Sequence, residues 1–169
     1  MTTLTNSQSY PGSTAISQSP AVSHTTFRLK DPASAITHFI GMVAAVSAAP
    51  FLLERAAQTG HIKSIVSSLL FIISMILLYG ASTFYHAVIT NDRATLLLKK
   101  LDHIMIYFLI AGSYTPICLL VLGGRTGIIL LAIVWSFAIA GILIKAFWGF
   151  CPKWVSSVLY IGMGWTCVL

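Results

Sequence analysis

Long apolar segments, separated by short stretches that hold most of the basic residues, dominate this sequence. They cover about residues 36–53, 64–89, 101–122, 127–147 and 154–169. A bilayer hydrocarbon core of about 30 Å requires about 20 helical residues. The first four segments meet that requirement, and the fifth, with about sixteen residues before the sequence ends, is marginal. The pattern predicts an all-α integral membrane protein with five transmembrane helices.

Composition excludes the usual soluble classes. The residues AVILMFWYC make up 57% of the 169 residues and the charged residues only 8%, whereas soluble domains carry roughly 25% charged residues. A soluble domain with so few charges would expose large apolar patches to water and aggregate. A cytosolic enzyme, a disordered chain and a disulfide-stapled secreted module are therefore all disfavoured.

The first 30 residues differ from the rest of the chain. They are rich in Ser and Thr, contain Pro11 and Pro20, and hold no apolar run long enough for a signal-peptide core. Such a composition buries too little apolar surface to fold. We therefore predict a disordered tail over 1–30 and a transmembrane helical domain over 31–169.

The basic residues predict an orientation in the membrane. The net charge is +6, but the Lys and Arg residues lie between apolar runs and do not form a nucleic-acid-binding patch. The N-terminal tail and the connections after the second and fourth segments hold seven of them, and the other side holds three. The excess predicts a cytoplasmic N-terminus in a multi-pass plasma (inner) membrane protein. The seven are Arg28, Lys30, Arg93, Lys99, Lys100, Lys145 and Lys153, with Arg93, Lys99 and Lys100 in a short basic loop.

Ionisable and polar side chains near the first three segments are the candidate functional residues. Such groups are costly within a membrane and each needs a physical reason. The predicted topology brings polar groups of three helices to one layer near the cytoplasmic surface, with Ser82 and His86 on one face of the second helix. The members of this set are Asp31, His38, Tyr79, Ser82, His86, Asp102 and His103.

Two interpretations of this layer remain open. A neutral imidazole is a common zinc ligand, and a carboxylate or hydroxyl orients what the metal binds, so His86, Asp102 and Ser82 suit a metal site. Alternatively, His86 ends one helix and Asp102 begins the next, where each charge suits the helix dipole. One His and one Asp cannot complete a zinc shell, which usually has at least three protein ligands.

Several short motifs together resemble the bacterial hemolysin III family, part of the progestin and adiponectin Q receptor superfamily. They are DPASAITH over 31–38, STFYH over 82–86, LDHIMIY over 101–107, AGSYTP over 111–116 and MGW over 163–165. Each motif is weak alone and specific in combination. The resemblance extends from about residue 31 to the last residue.

The resemblance implies a seven-helix bundle with a zinc ion near the cytoplasmic face. By position, His86 would be the first zinc ligand, Asp102 the carboxylate and Ser82 the partner of the bound water, with Asp31, His38 and His103 as motif residues. The superfamily takes two further ligands from an H-x3-H motif in helix seven, which this sequence lacks. We therefore expect an incomplete zinc site, either in a fragment that is truncated after its fifth helix or in a shortened relative that has lost the site.

Three functional classes follow from the resemblance. The favoured class is a non-enzymatic hemolysin III-type membrane protein that forms channels, lyses cells or acts in membrane homeostasis. A zinc-dependent, ceramidase-like hydrolase of lipid amides is the first alternative, and a receptor or sensor is the second. A homo-oligomer is one way to cover polar groups such as His86 that two missing helices would leave facing lipid.

Overall fold

The computed structural model describes residues 29–148 and 153–166, which form helices joined by short turns. Most of the predicted tail and the final residues of the predicted fifth segment lie outside the described residues. The prediction of an all-α membrane protein is confirmed. The elements are α1 (Pro32–Gln58), α2 (Ile62–Ala87), α3 (Asp92–Pro116), a π-helical continuation of α3 (Ile117–Leu122), α4 (Gly124–Phe147) and α5 (Lys153–Trp165).

Four of the described helices are long and apolar enough to cross a bilayer. The helices α1, α2, α3 with its π-helical continuation, and α4 have 24 to 31 residues and mean hydropathies of 1.8 to 2.7. At about 1.5 Å per residue even the shortest is about 36 Å long, more than the hydrocarbon core. The described part of α5 has 13 residues, about 20 Å, and is shorter than the core.

Successive helices pack against one another in an antiparallel series, and small residues permit the closest approaches. At Gly112 of α3, a Cβ would overlap the side chain of Ser74 on α2. At Gly141 of α4, a Cβ would overlap the ring of Tyr107 on α3, which is 1% exposed. Van der Waals contact holds membrane helices together where lipid removes the hydrophobic driving force, so these glycines hold the bundle close.

The proline in the third apolar segment changes the type of helix. Pro116 has no backbone N–H to donate to the carbonyl one turn earlier, and the chain continues as a π-helix from Ile117 to Leu122. The N–H of Gly123 then donates to the carbonyl oxygen of Cys118 at 3.1 Å. Gly123 has a φ of 58°, a conformation that favours glycine. The expected local compensation at Pro116 therefore takes the form of a wider helix.

The structure corrects the predicted start of the third helix. The side chain of Asn91 accepts a hydrogen bond from the N–H of Ala94 at 2.9 Å and caps a helix that begins at Asp92. The predicted basic loop is therefore wrong, because Arg93, Lys99 and Lys100 lie on α3. Asp102 lies about 15 Å along the helix from Asp92, so a favourable position for Asp102 at the helix N-terminus is also wrong.

Candidate functional site at the His86 end of the bundle

The residues that precede α1 close the C-terminal end of α2. The backbone N–H of Asp31 donates to the carbonyl oxygen of His86 at 2.9 Å, and that of Lys30 donates to Ala87 at 3.4 Å. The last carbonyl groups of a helix have no partner within it, so these bonds satisfy two of them. They also hold the Asp31 side chain beside His86, with Oδ2 at 3.3 Å from Nδ1.

The Asp31 carboxylate is held in its ionised form. The Ser34 hydroxyl donates to Asp31 Oδ2 at 2.7 Å and is the largest cause that lowers the pKa of Asp31 below its ordinary value of 3.8. The imidazole of His86 lowers this pKa further, and partial desolvation opposes both effects. A carboxylate acceptor at Nδ1 favours the tautomer of His86 in which Nδ1 carries the proton, which leaves the Nε2 lone pair available.

His38 and Tyr79 extend the group from the His86 ring into the bundle. The rings of His38 and His86 are stacked, with centroids 5.8 Å apart and planes within 9°. The Tyr79 ring lies 6.0 Å from that of His38 and packs on Gly41, where a Cβ would come within 2.9 Å of the ring. His38 Nδ1 is buried and has no hydrogen-bond partner among the described residues.

Three residues that the sequence interpretation did not single out support the same group. Lys30 places its Nζ 3.9 Å from the centroid of the Tyr85 ring, and that ring meets His86 edge-on at 4.8 Å. Ser34, three residues after Asp31, has the spacing of a local Asp–Ser hydrogen bond and was detectable in the sequence. The Lys30–Tyr85 contact depends on how α1 meets α2, so no local pattern predicts it.

The Asp31–His86 pair makes no hydrogen bond or ion pair with Ser82, Asp102 or His103 in the described ranges. Ser82 is 2% exposed and lies one turn before His86 on α2. Asp102 is also buried, and its Oδ2 lies 4.0 Å from Nδ1 of the adjacent His103. The described residues show no hydrogen bond or ion pair between Asp102 and His86. The roles of Ser82 and Asp102 at a metal stay predictions.

His103 takes part in two hydrogen bonds, one within α3 and one between helices. Its Nδ1 lies 2.6 Å from the carbonyl oxygen of Lys99, and its own carbonyl accepts from the Tyr160 hydroxyl at 3.0 Å. The second bond joins α5 to α3. We therefore assign His103 to the packing of these helices.

The described residues do not assemble a complete zinc shell. Over 29–148 and 153–166, no three His, Cys, Asp or Glu side chains are grouped so that they could hold a metal ion. A zinc site usually has three or four protein ligands. His86 carries a carboxylate on Nδ1, and such a carboxylate typically orients a metal-binding imidazole.

Comparison with known proteins identifies the family. The family model described as Haemolysin-III related matches residues 27–169. The Hemolysin-3 homolog of Bacillus subtilis (strain 168) is 42% identical over 146 residues, which cover 85% of this chain and 67% of the relative. Hemolysin-3 of Bacillus cereus is 40% identical over 147 residues, which cover 86% and 66%. The matched region thus spans about two thirds of each relative, and no solved structure matches. The chain belongs to the haemolysin III family of membrane proteins.

Proposed function

We propose that this chain is a non-enzymatic membrane protein that acts in membrane homeostasis at the plasma membrane, with His86 as one ligand of a zinc ion near the cytoplasmic face. One observation carries the proposal: the Asp31 carboxylate lies 3.3 Å from His86 Nδ1. This pairing orients the ring and raises the basicity of the other nitrogen, as carboxylates do for metal-binding histidines. The excess of Lys and Arg on the N-terminal side supports a cytoplasmic position for this end.

The remaining ligands of such a zinc ion lie outside the residues that the structure describes. Zinc prefers four ligands, and the described residues form no group of three ligand side chains around His86. His38 stacks on His86 and keeps a buried nitrogen without a partner. An unpaired buried nitrogen is costly, which supports a further group next to His38 in the whole protein.

The alternatives receive less support. A lipid-amide hydrolase would need Ser82 and Asp102 to act together with His86, yet the contacts of His86 lead to Asp31. A pore needs polar groups along a passage, whereas the serines of α2 are buried within the bundle. The proposal therefore includes neither catalysis nor conduction.

Metal analysis of variants tests the proposal. The protein is purified in detergent from membranes of its own host without added metal, and zinc is measured per chain. We expect about one zinc in the wild type and a loss of nearly all of it in His86→Ala, because structural zinc needs its full shell. His61→Ala is the matched control, since His61 lies at the opposite end of α2. Equal zinc in both variants would refute His86 as a ligand.

A substrate panel tests the non-enzymatic part. The purified protein is incubated with ceramide-like amides, and released fatty acid is measured with and without a chelator. We expect no metal-dependent release. Release that His86→Ala abolishes would replace the proposal with the hydrolase alternative.

A further inference from the structure

A cleft of about 660 Å³ opens at the end of the bundle opposite His86. It lies between the α1–α2 turn and the π-helical segment after Pro116. Its polar side comprises His61, Lys63 and Ser64, and its apolar side comprises Leu119 and Leu120. Helix ends meet the membrane–water interface, so one half of the cleft suits a polar headgroup and the other suits hydrocarbon.

The start of α2 presents hydrogen-bond donors to this cleft. The N–H groups of Ser64 and Ile65 both donate to the carbonyl oxygen of His61, at 3.0 and 3.5 Å. The N–H groups of Ile62 and Lys63 have no acceptor in the described part of the chain. No side chain caps this helix, and its first turn holds no acidic residue. The positive end of the α2 dipole is therefore unbalanced.

The hydroxyl of Ser64 points independently to a ligand. Ser64 lines the cleft and is only 7% exposed, yet its hydroxyl has no hydrogen-bond partner among the described residues. The buried Ser67 and Ser74 instead donate to a carbonyl oxygen of the preceding turn, at 3.2 and 2.7 Å. The Ser64 hydroxyl is therefore free to donate to a ligand in the cleft.

Lys63 is the charged side chain among the residues that line the cleft. Lys63 makes no ion pair with any carboxylate in the described ranges. The side chain of Glu54, the acidic residue near the end of α1, accepts from the Gln58 amide at 3.4 Å. A cationic side chain, two free N–H groups and a hydroxyl together match the oxygens of a phosphate.

We propose that this cleft binds the phosphate headgroup of an anionic phospholipid. The phosphate oxygens accept from the N–H groups of Ile62 and Lys63 and from the Ser64 hydroxyl, and the Lys63 ammonium balances the charge. The first acyl carbons lie against Leu119 and Leu120. Free phosphate offers the same oxygens but leaves the apolar half of the cleft empty, so a lipid fits the site better.

Native mass spectrometry of the full protein in detergent tests this site. Phosphatidylglycerol and phosphatidylcholine with identical acyl chains are titrated separately, and the lipid-bound fraction is measured. We expect preferential retention of phosphatidylglycerol. Lys63→Gln should weaken phosphatidylglycerol binding about five-fold, which is the usual contribution of one lysine near an anionic lipid surface. Equal retention of both lipids by the wild type would overturn the proposal.

Two further variants separate the cleft from general electrostatics. Arg125→Gln removes the same charge at the same end of the bundle, but Arg125 does not line the cleft. We expect this variant to bind as the wild type does, and a loss equal to that of Lys63→Gln would overturn the proposal. Ser64→Ala preserves charge and fold and should weaken binding about three-fold, the effect of one hydrogen bond. Unchanged binding in Ser64→Ala would also count against the site.

Competition distinguishes the two sources of phosphate. Inorganic phosphate is added at the same concentration as phosphatidylglycerol, and the bound lipid is measured again. We expect the lipid to remain bound, because only the lipid also contacts Leu119 and Leu120. Displacement by inorganic phosphate at equal concentration would show a free-anion site and overturn the lipid assignment. Since the cleft and His86 lie at opposite ends of α2, this result is independent of the zinc measurement.

Discussion

The two ends of α2 differ in the partners of their terminal backbone and side-chain groups. At the C-terminal end, the residues before α1 donate to the last carbonyls and bring the Asp31 carboxylate to His86. At the N-terminal end, two N–H groups, the Ser64 hydroxyl and Lys63 have no such partner in the described ranges. Paired groups order one another, whereas unpaired donors are free for a ligand. The comparison distinguishes an internally organised site from an open anion site.

His38 is the exception within the organised end. Its ring stacks on His86, and its Nδ1 is buried without a partner in the described part of the chain. The two ends therefore differ in the number of open positions. At the His86 end, individual imidazole nitrogens remain available, and a nitrogen lone pair is what a metal ion binds. At the Lys63 end, several hydrogen-bond donors remain available, and donors are what an oxyanion binds.

The largest expected effect is a loss of zinc affinity when the carboxylate at the His86 end is removed. Asp31→Asn should lower zinc affinity about 10- to 100-fold, because loss of a carboxylate on a ligating histidine has that effect. Affinity is measured by competition with a chelator. Asp92→Asn is the control, since Asp92 lies in the first turn of α3 and makes no ion pair among the described residues. Equal effects of the two substitutions would contradict a specific role for Asp31.

The next effect concerns packing at the His86 end. In Gly41→Ala the new methyl would lie 2.9 Å from the Tyr79 ring, which must then move away from His38. Such overpacking costs about 1–3 kcal/mol, and thermal unfolding in detergent measures it. Gly162→Ala is the control because nothing lies within 4 Å of its added Cβ. A Gly41→Ala protein as stable as the control would show that Tyr79 is not closely held.

Gly60, at the other end of α2, should affect stability through its backbone conformation alone. Gly60 has a φ of 70° and no atom within 4 Å of an added Cβ. Gly60→Ala should therefore cost about 1 kcal/mol by backbone strain, measured by the same unfolding assay. Gly60→Asn should cost less, because Asn tolerates this conformation better. Equal losses in the two variants would point to a cause other than strain.

The smallest expected effect is a pH dependence that only the His86 end should produce. The pKa of Asp31 is lowered in the folded protein, so its stabilising contribution is complete at pH values well above 3.8 and is lost as pH falls through the lowered pKa. Stability measured from pH 6 to about pH 3 should fall less steeply in Asp31→Asn. Lys63→Gln should leave the slope unchanged, because no carboxylate pairs with Lys63 in the described ranges. A parallel change in both variants would remove this distinction between the ends.

The sequence located the polar layer but did not predict the ion pair within it. The predicted topology placed Asp31, His38 and His86 in one layer near the cytoplasmic surface, and the structure brings these three together. The sequence interpretation grouped Asp102 with His86 from the chemistry of the two residues and from the resemblance. The structure pairs Asp31 with His86, since the chain before α1 folds back onto the end of α2.

The helical nature and approximate position of the four spanning helices were determined by sequence alone. Lipid offers no hydrogen bonds to the backbone, so a long apolar run must form a helix or part of a closed barrel. Only the tertiary structure decided which side chains meet. The stacking of His38 on His86, the Lys30–Tyr85 contact and the cleft beside Lys63 depend on the rotation of each helix and on the fold of its ends. Packing between helices sets the rotation of each helix and the fold of its ends. Small residues such as Gly41 and Gly112 determine how closely neighbouring helices approach in that packing.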